Sequence, residues 1–160
     1  MSKESKIMIG ILTLIVGGMI GLFVVFNNSG TPEPAANKDE ALYRSDSFAK
    51  GTGAVKVVEF GDYQCPACGA MYPVQERLLK EMGEKFTLTY KHFPLPMHSN
   101  AFKAAEAAEA AGEQGKFWEM TDKLYTNQNE WSNSGEAASI FRRYAQDLGL
   151  DANQFKQSMD

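Results

Sequence analysis

Cysteine is scarce: Cys65 and Cys68 are the only two among 160 residues. At most one internal disulfide is possible, which excludes a small fold stapled by several bridges. Histidine is as rare, with His92 and His98 alone. A four-ligand zinc site would consume every cysteine and histidine in the chain. No basic stretch interleaved with aromatics occurs. The net charge is −4, from 16 basic and 20 acidic residues. Nucleic-acid binding therefore has no support, and the mild acidity reads as solubility. No internal repeat is visible. No proline follows Pro96, and no strand-like run follows Phe93. Charge is absent altogether from one long stretch, Ile7–Phe26.

That stretch organises the N-terminal part. Residues 1–6 are polar and carry Lys3 and Lys6. A helix over 7–26 would cross a hydrocarbon core of roughly 30 Å. No lysine or arginine follows until Lys38. The charge bias predicts a single-pass cell-membrane protein, with residues 1–6 cytoplasmic and the remainder extracytoplasmic. A cleaved signal peptide is the rival reading. Its apolar region would be shorter, about 7–15 residues, and would end in small residues. Here the run ends Phe-Val-Val-Phe-Asn-Asn, so a retained anchor is expected. Residues 27–40 hold Pro32 and Pro34, have no periodicity and read as a flexible tether.

The folded domain is expected over 41–160. At 44% apolar and 11% aromatic residues the composition suits one globular core. Gly51-Thr52-Gly53 is a turn. Val55–Phe60 is apolar on both faces and predicts a buried central strand. From Pro66 to Met82, Met71, Val74, Leu78 and Met82 recur at helical spacing. Pro66 suits the first turn, Pro73 should kink the helix, and Gly83 ends it. Phe86–Phe93 alternates apolar and polar residues, a second strand. Strand, helix, strand implies a βαβ unit with parallel strands. Helices follow. One runs over an alanine-rich segment capped by Ser99 or Asn100 and stopped by Gly112. The next, Lys116–Tyr125, carries Phe117, Met120 and Leu124. A third, capped by Ser134, turns Ala137, Ile140 or Phe141, Tyr144 and Leu148 inward. A last short helix starts at an Asp151–Gln154 capping box.

The chemistry gathers at the strand–helix junction, where Cys65 and Cys68 lie three apart. One reading is a redox dithiol. Cys65 would start the helix, where free N–H groups and the dipole favour a thiolate, the nucleophile of disulfide exchange. Cys68, one turn on, would resolve the mixed disulfide. A second reading is half a zinc site completed by His92 and His98, although the gap from Cys68 to His92 is longer than usual finger spacing. A third is a buried structural pair. Gly69 after Cys68 disfavours haem attachment. Glu59 is an acid inside an apolar strand. Buried, its pKa should rise, and it would exchange protons with Cys68 through water. Alternatively it points to the sheet edge and pairs with a lysine. His92 and His98 read first as structural, the latter as a helper of the helix cap. Trp118 and Trp131 read as core or cap aromatics.

The run Val-Val-Glu-Phe-Gly-Asp-Tyr-Gln-Cys-Pro-Ala-Cys-Gly, Val57 to Gly69, resembles the active-site segment of DsbA-like thiol-disulfide oxidoreductases of the thioredoxin superfamily. Glu59, six residues before Cys65, and Pro73, five after Cys68, match positions these proteins share. Lys91–Leu95 and His98–Ala101 extend the likeness. The resemblance implies an α/β fold with a thioredoxin-like βαβ core and an all-helical insertion at about 99–160. It implies catalytic Cys65, Cys68 and Glu59, supported by Pro66, Ala67 and Pro73, with no metal or dissociable cofactor. Partners would be protein thiols or disulfides and a membrane redox partner. Pro66-Ala67 lacks the histidine of strongly oxidising Cys-Pro-His-Cys sites, so a milder oxidant is expected. The family also carries a final antiparallel strand pair, a helix and a cis-proline facing the cysteines. Pro94 and Pro96 are not that proline, so a C-terminally truncated chain is expected. The alternative function is a membrane-tethered, non-catalytic binding module whose cysteines are structural or hold metal.

Overall fold

The computed structural model describes residues 17–19 and 48–159. Residues 17–19 are helical. Among the described residues no helix is long and apolar enough to cross a membrane. The expected anchor at 7–26 lies outside the described residues but for 17–19, and the tether at 27–40 lies outside them entirely.

Among the described residues the sheet has three strands: β1 (Ala49–Lys50), β2 (Val55–Gly61) and β3 (Phe86–His92), in the order β1-β3-β2. Helix α1 (Pro66–Met82) connects β2 to β3. β2 and β3 are parallel, with Glu59 opposite Tyr90 and Gly61 opposite His92. This is the expected βαβ unit. β1 is antiparallel to β3, Ala49 opposite Thr89. Only two residues long, it carries no strand pattern of its own. It is held by partner β3 and by the turn at Gly51, whose φ of 94° suits glycine.

The expectation that β2 is buried and central is overturned. β3 takes the middle because β1 occupies its other edge, and β2 is left at the rim. Val55, Val57, Val58 and Phe60 are all exposed, Phe60 at 64%. The apolar stripe on α1 shares this fate. Met71, Leu78 and Met82 are exposed, whereas Tyr72 and Leu79 on its other side are buried. A run apolar on both faces shows that a segment can be covered on both, and among the described residues nothing covers this one.

The helical part is α2 (Ala101–Gly112), α3 (Phe117–Thr126), α4 (Gln128–Trp131), α5 (Ala137–Asp147) and α6 (Ala152–Met159). Seven alanines of α2, from Ala101 to Ala111, are buried, which lets neighbouring helices approach closely. Phe117, Met120 and Leu124 are buried as their spacing implied, as are Ala137, Phe141 and Tyr144. Ile140 is only half-buried, so Phe141 takes the inward position. Trp131 is fully buried against Phe141, 5.1 Å between ring centroids. The Asp151 carboxylate accepts the Gln154 N–H at 2.7 Å, one half of the expected capping box. Asn100 precedes α2 but its side chain does not cap it. It reaches instead to the carbonyls of Trp131, Ser132 and Ser134. Ser134 stands before α5, where its Oγ accepts the Glu136 N–H at 3.0 Å. The fold is the expected α/β arrangement, a small thioredoxin-like sheet with a helical block.

Candidate active site

Pro66 begins α1 because its fixed φ suits a first helical turn and its missing N–H costs nothing there. Cys65 is the residue before it, with extended backbone (φ −68°, ψ 122°). Its carbonyl already accepts the first helical bond, from the Gly69 N–H at 3.0 Å. Its side chain makes no capping hydrogen bond. Both thiols are free and half-buried. Burial pushes the Cys68 thiol above its usual pKa range, and the neighbouring Cys65 sulfur adds to the rise. The two sulfurs are thus in contact one turn apart, as their spacing required. Ala67 is exposed between them, and Pro73 lies inside α1.

Glu59 enters from β2. Its Oε2 is shut off from water and has no hydrogen-bond partner among the described residues. Burial pushes its pKa up to about 7, with the Gln75 amide pulling weakly the other way. The reading that pairs it with a lysine at the sheet edge gains no support. Instead Glu59 and Cys68 line one groove of about 500 Å³, walled by Val57, Val58, Met71 and Leu78. The exposed stripes of β2 and α1 are the walls of this groove.

The segment feeding Cys65 is fixed by residues that motif reading passed over. Asp62, Tyr63 and Gln64 are buried. The Asp62 carbonyl accepts the Cys65 N–H at 3.1 Å, closing a turn. Gln128 of α4 donates from Nε2 to the carbonyls of Tyr63 at 2.7 Å and Cys65 at 2.9 Å. A Cβ at Gly69 would stand 2.8 Å from Gln128 Oε1, so glycine there lets the clamp close. Gln64 donates to the Ser132 carbonyl at 2.6 Å and accepts the Asn100 N–H at 2.7 Å. Below lies a tyrosine cluster. Tyr63 stacks on Tyr90 at 5.2 Å, and the Tyr90 and Tyr125 hydroxyls meet at 2.8 Å. Sequence separations of 36 to 68 leave the Gln64 and Gln128 contacts without a local signal. Asp62, three residues before Cys65 at the end of an apolar strand, did carry one, that of a turn-forming acid.

The zinc reading finds no geometry. Among the described residues no group of three or more cysteine, histidine, aspartate or glutamate side chains is placed to hold a metal ion. His92 is buried, with Nε2 3.0 Å from Glu109 Oε1. His98 helps the helix start through its backbone, its carbonyl accepting the Ala101 N–H at 3.2 Å, while its side chain places Nδ1 2.6 Å from Asp62 Oδ2.

A half-exposed dithiol at a strand–helix junction, on a parallel βαβ unit, defines a thioredoxin-like protein. The thioredoxin family model matches residues 50–160, and the chain belongs to that family. A probable disulfide bond formation protein D of Bacillus cereus is 32% identical over 171 residues, covering 98% of this chain and 76% of that one. A solved thioredoxin-like oxidoreductase from Silicibacter pomeroyi is 31% identical, with a TM-score of 0.59, covering 78% of this chain and 69% of that one. A Na(+)/H(+) antiporter NhaA 1 of Mycolicibacterium gilvum is 32% identical over 173 residues, covering 99% of this chain. The chain spans only 26% of that antiporter's length.

Proposed function

We propose that the chain is a thiol-disulfide oxidoreductase that donates a disulfide to protein substrates through Cys65 and Cys68. The carrying observation is the pair itself: Cys65 immediately before α1, Cys68 in contact with it, and Cys68 sharing a groove with the buried Glu59. The likeness to a disulfide bond formation protein supports the direction of transfer.

In the oxidised form a substrate thiolate attacks the Cys65 sulfur. The Cys65–Cys68 bond breaks and Cys68 leaves with the electron pair. Burial makes the Cys68 anion costly, so it takes up a proton. Glu59, with a pKa near neutrality, supplies that proton through water. A second substrate thiolate then attacks the substrate sulfur of the mixed disulfide and releases Cys65 as thiolate. Two substrate thiols become one disulfide, and two electrons remain on the cysteine pair. The uncharged run at 7–26 supports tethering to a membrane, with the domain on its oxidising outer side, where a membrane redox partner re-forms the disulfide. Ala67, without a donor for the thiolate, supports a mild oxidant.

Incubation of the chain in glutathione buffers, followed by alkylation and mass spectrometry, should reveal a reversible Cys65–Cys68 disulfide. Its oxidised form should introduce disulfides into a reduced, unfolded protein. Cys65→Ser should abolish the transfer, and Cys68→Ser should accumulate mixed disulfides through Cys65. Absence of the internal disulfide across all buffers would sink the reading.

A further inference from the structure

Asp62 is an acid at 4% exposure, three residues before Cys65, and the exchange steps above do not use it. A carboxylate is costly to bury unless its oxygens are satisfied, and these are. Oδ1 accepts the Gln64 N–H at 2.8 Å. Oδ2 accepts the Leu95 N–H at 3.0 Å and faces His98 Nδ1 at 2.6 Å. A carboxylate only accepts, so Nδ1 is the donor and carries its hydrogen there. One side chain thus ties together two loops, 62–65 and 94–98, that lie more than 30 residues apart in sequence. Its own backbone carbonyl holds the Cys65 N–H. An Asx turn that ends at Gln64 is nested inside a backbone turn that ends at the reacting cysteine.

On the sulfur's side stands Cys68, the partner that the reaction itself displaces. Cys65 makes no capping bond with its side chain, so its direction is inherited from the backbone entering it. That backbone is held from the helical block by Gln128 and from the opposite loop by Asp62.

We propose that Asp62, braced by His98, is the positioning residue of disulfide exchange: it sets where the Cys65 sulfur leaves the helix start and makes the 94–98 loop part of the reacting site. The inference rests on the oxidoreductase reading and adds two residues to it. Geometry matters at this level because a displacement of about 1 Å from in-line attack costs on the order of 100-fold in rate. The Asp62 backbone favours an anion on Cys68 by a hydrogen bond, while the carboxylate has a smaller charge effect, since its field opposes that anion. Position and charge predict opposite results when that charge is removed, which separates them.

The test uses the full chain, reduced and then mixed with glutathione disulfide at neutral pH, with the second-order rate at which the Cys65 thiol is consumed as readout. Thermal melts of every variant run alongside. His98→Ala should slow the reaction roughly tenfold. His98→Asn, whose side-chain amide offers a donor near the Nδ1 position, should restore it to within about twofold. Asp62→Asn keeps Oδ1 for Gln64 but turns an amide group toward two donors, and should be as slow as His98→Ala. A His98→Ala rate equal to wild type overturns the proposal. So does an Asp62→Asn variant faster than wild type, because charge then outweighs position. If His98→Ala melts earlier, a slow rate that His98→Asn restores at an unchanged melting temperature still supports positioning; a rate that merely follows the melting temperature overturns it. A wild-type chain that forms neither a mixed disulfide nor the Cys65–Cys68 disulfide defeats the oxidoreductase reading itself, a result distinct from the other failures.

Discussion

Glu59 shows how one residue is given its character by its surroundings. In water its carboxyl would titrate at 4.5, and burial lifts that to about 7. The folded state therefore holds a proton that the unfolded state has lost across this interval. Folding stability must fall as pH rises from about 4.5 to about 7 and stay low above it. Part of the group still sees solvent, so the loss is about 1–2 kcal/mol rather than the full shift. Glu59→Gln removes the titration. Urea unfolding at about pH 8 should find this variant more stable than wild type by that amount, with the gap closing at about pH 5. The same variant should slow disulfide transfer near neutral pH by about 10-fold or more, because the proton for Cys68 must then come from bulk water. Greater stability with lower activity is the signature of a buried group kept for chemistry. An equal pH dependence in both proteins would remove Glu59 from the role.

The connections between elements hold the site more than the elements do. α1 starts where Pro66 lets it, but Cys65 is aimed by a turn whose fastenings come from the α2 start, from α4 and from the 94–98 loop. Asn100 is the knot. Its Nδ2 donates to three carbonyls between α4 and α5, at 3.0 to 3.2 Å, while its N–H holds Gln64. Asn100→Ala takes the side-chain donor from the Ser134 carbonyl and one of two donors from those of Trp131 and Ser132, at a cost of about 2 kcal/mol. Urea unfolding should record that loss. Disulfide exchange should slow as well, since Gln64 shares the Ser132 carbonyl with Asn100. Unchanged stability would show that water replaces the amide without cost.

Within residues 48–159 one side is closed and one is open. The helical block buries Trp131, Phe141, Phe155 and Met120 completely. The sheet's β2 rim and the adjoining face of α1 leave Val55, Val58, Phe60, Met71 and Leu78 in water. An exposed apolar edge strand is a template for further pairing. The 160-residue chain is expected to bind an apolar reporter dye and to self-associate as its concentration rises. Val58→Lys puts a charge on that rim and should reduce both effects, measured by dye fluorescence and sedimentation. Identical sedimentation of the two proteins across the concentration range would contradict this.

The pattern of residues along the chain was enough for the βαβ unit, the α1 boundaries at Pro66 and Met82, the inward stripes of α3 and α5, and the place of Cys65 and Cys68 at the start of α1. These are properties of period, capping and spacing, and they act over a few residues. The likeness of the Glu59–Cys68 segment to thioredoxin-like active sites pointed to the family that the comparison then confirmed. Folding in three dimensions settled the matters that depend on neighbours distant in sequence. β2 lies at the rim because β1, too short to carry a pattern, took the place beside β3. The His98 side chain turns to Asp62 while its carbonyl holds the helix start, and Gln128 clamps the carbonyls of Tyr63 and Cys65. An apolar residue shows that it can be covered, and a polar one that it can be paired. Which surface covers the first and which atom pairs the second depend on contacts 30 to 65 residues away, where no local periodicity reaches.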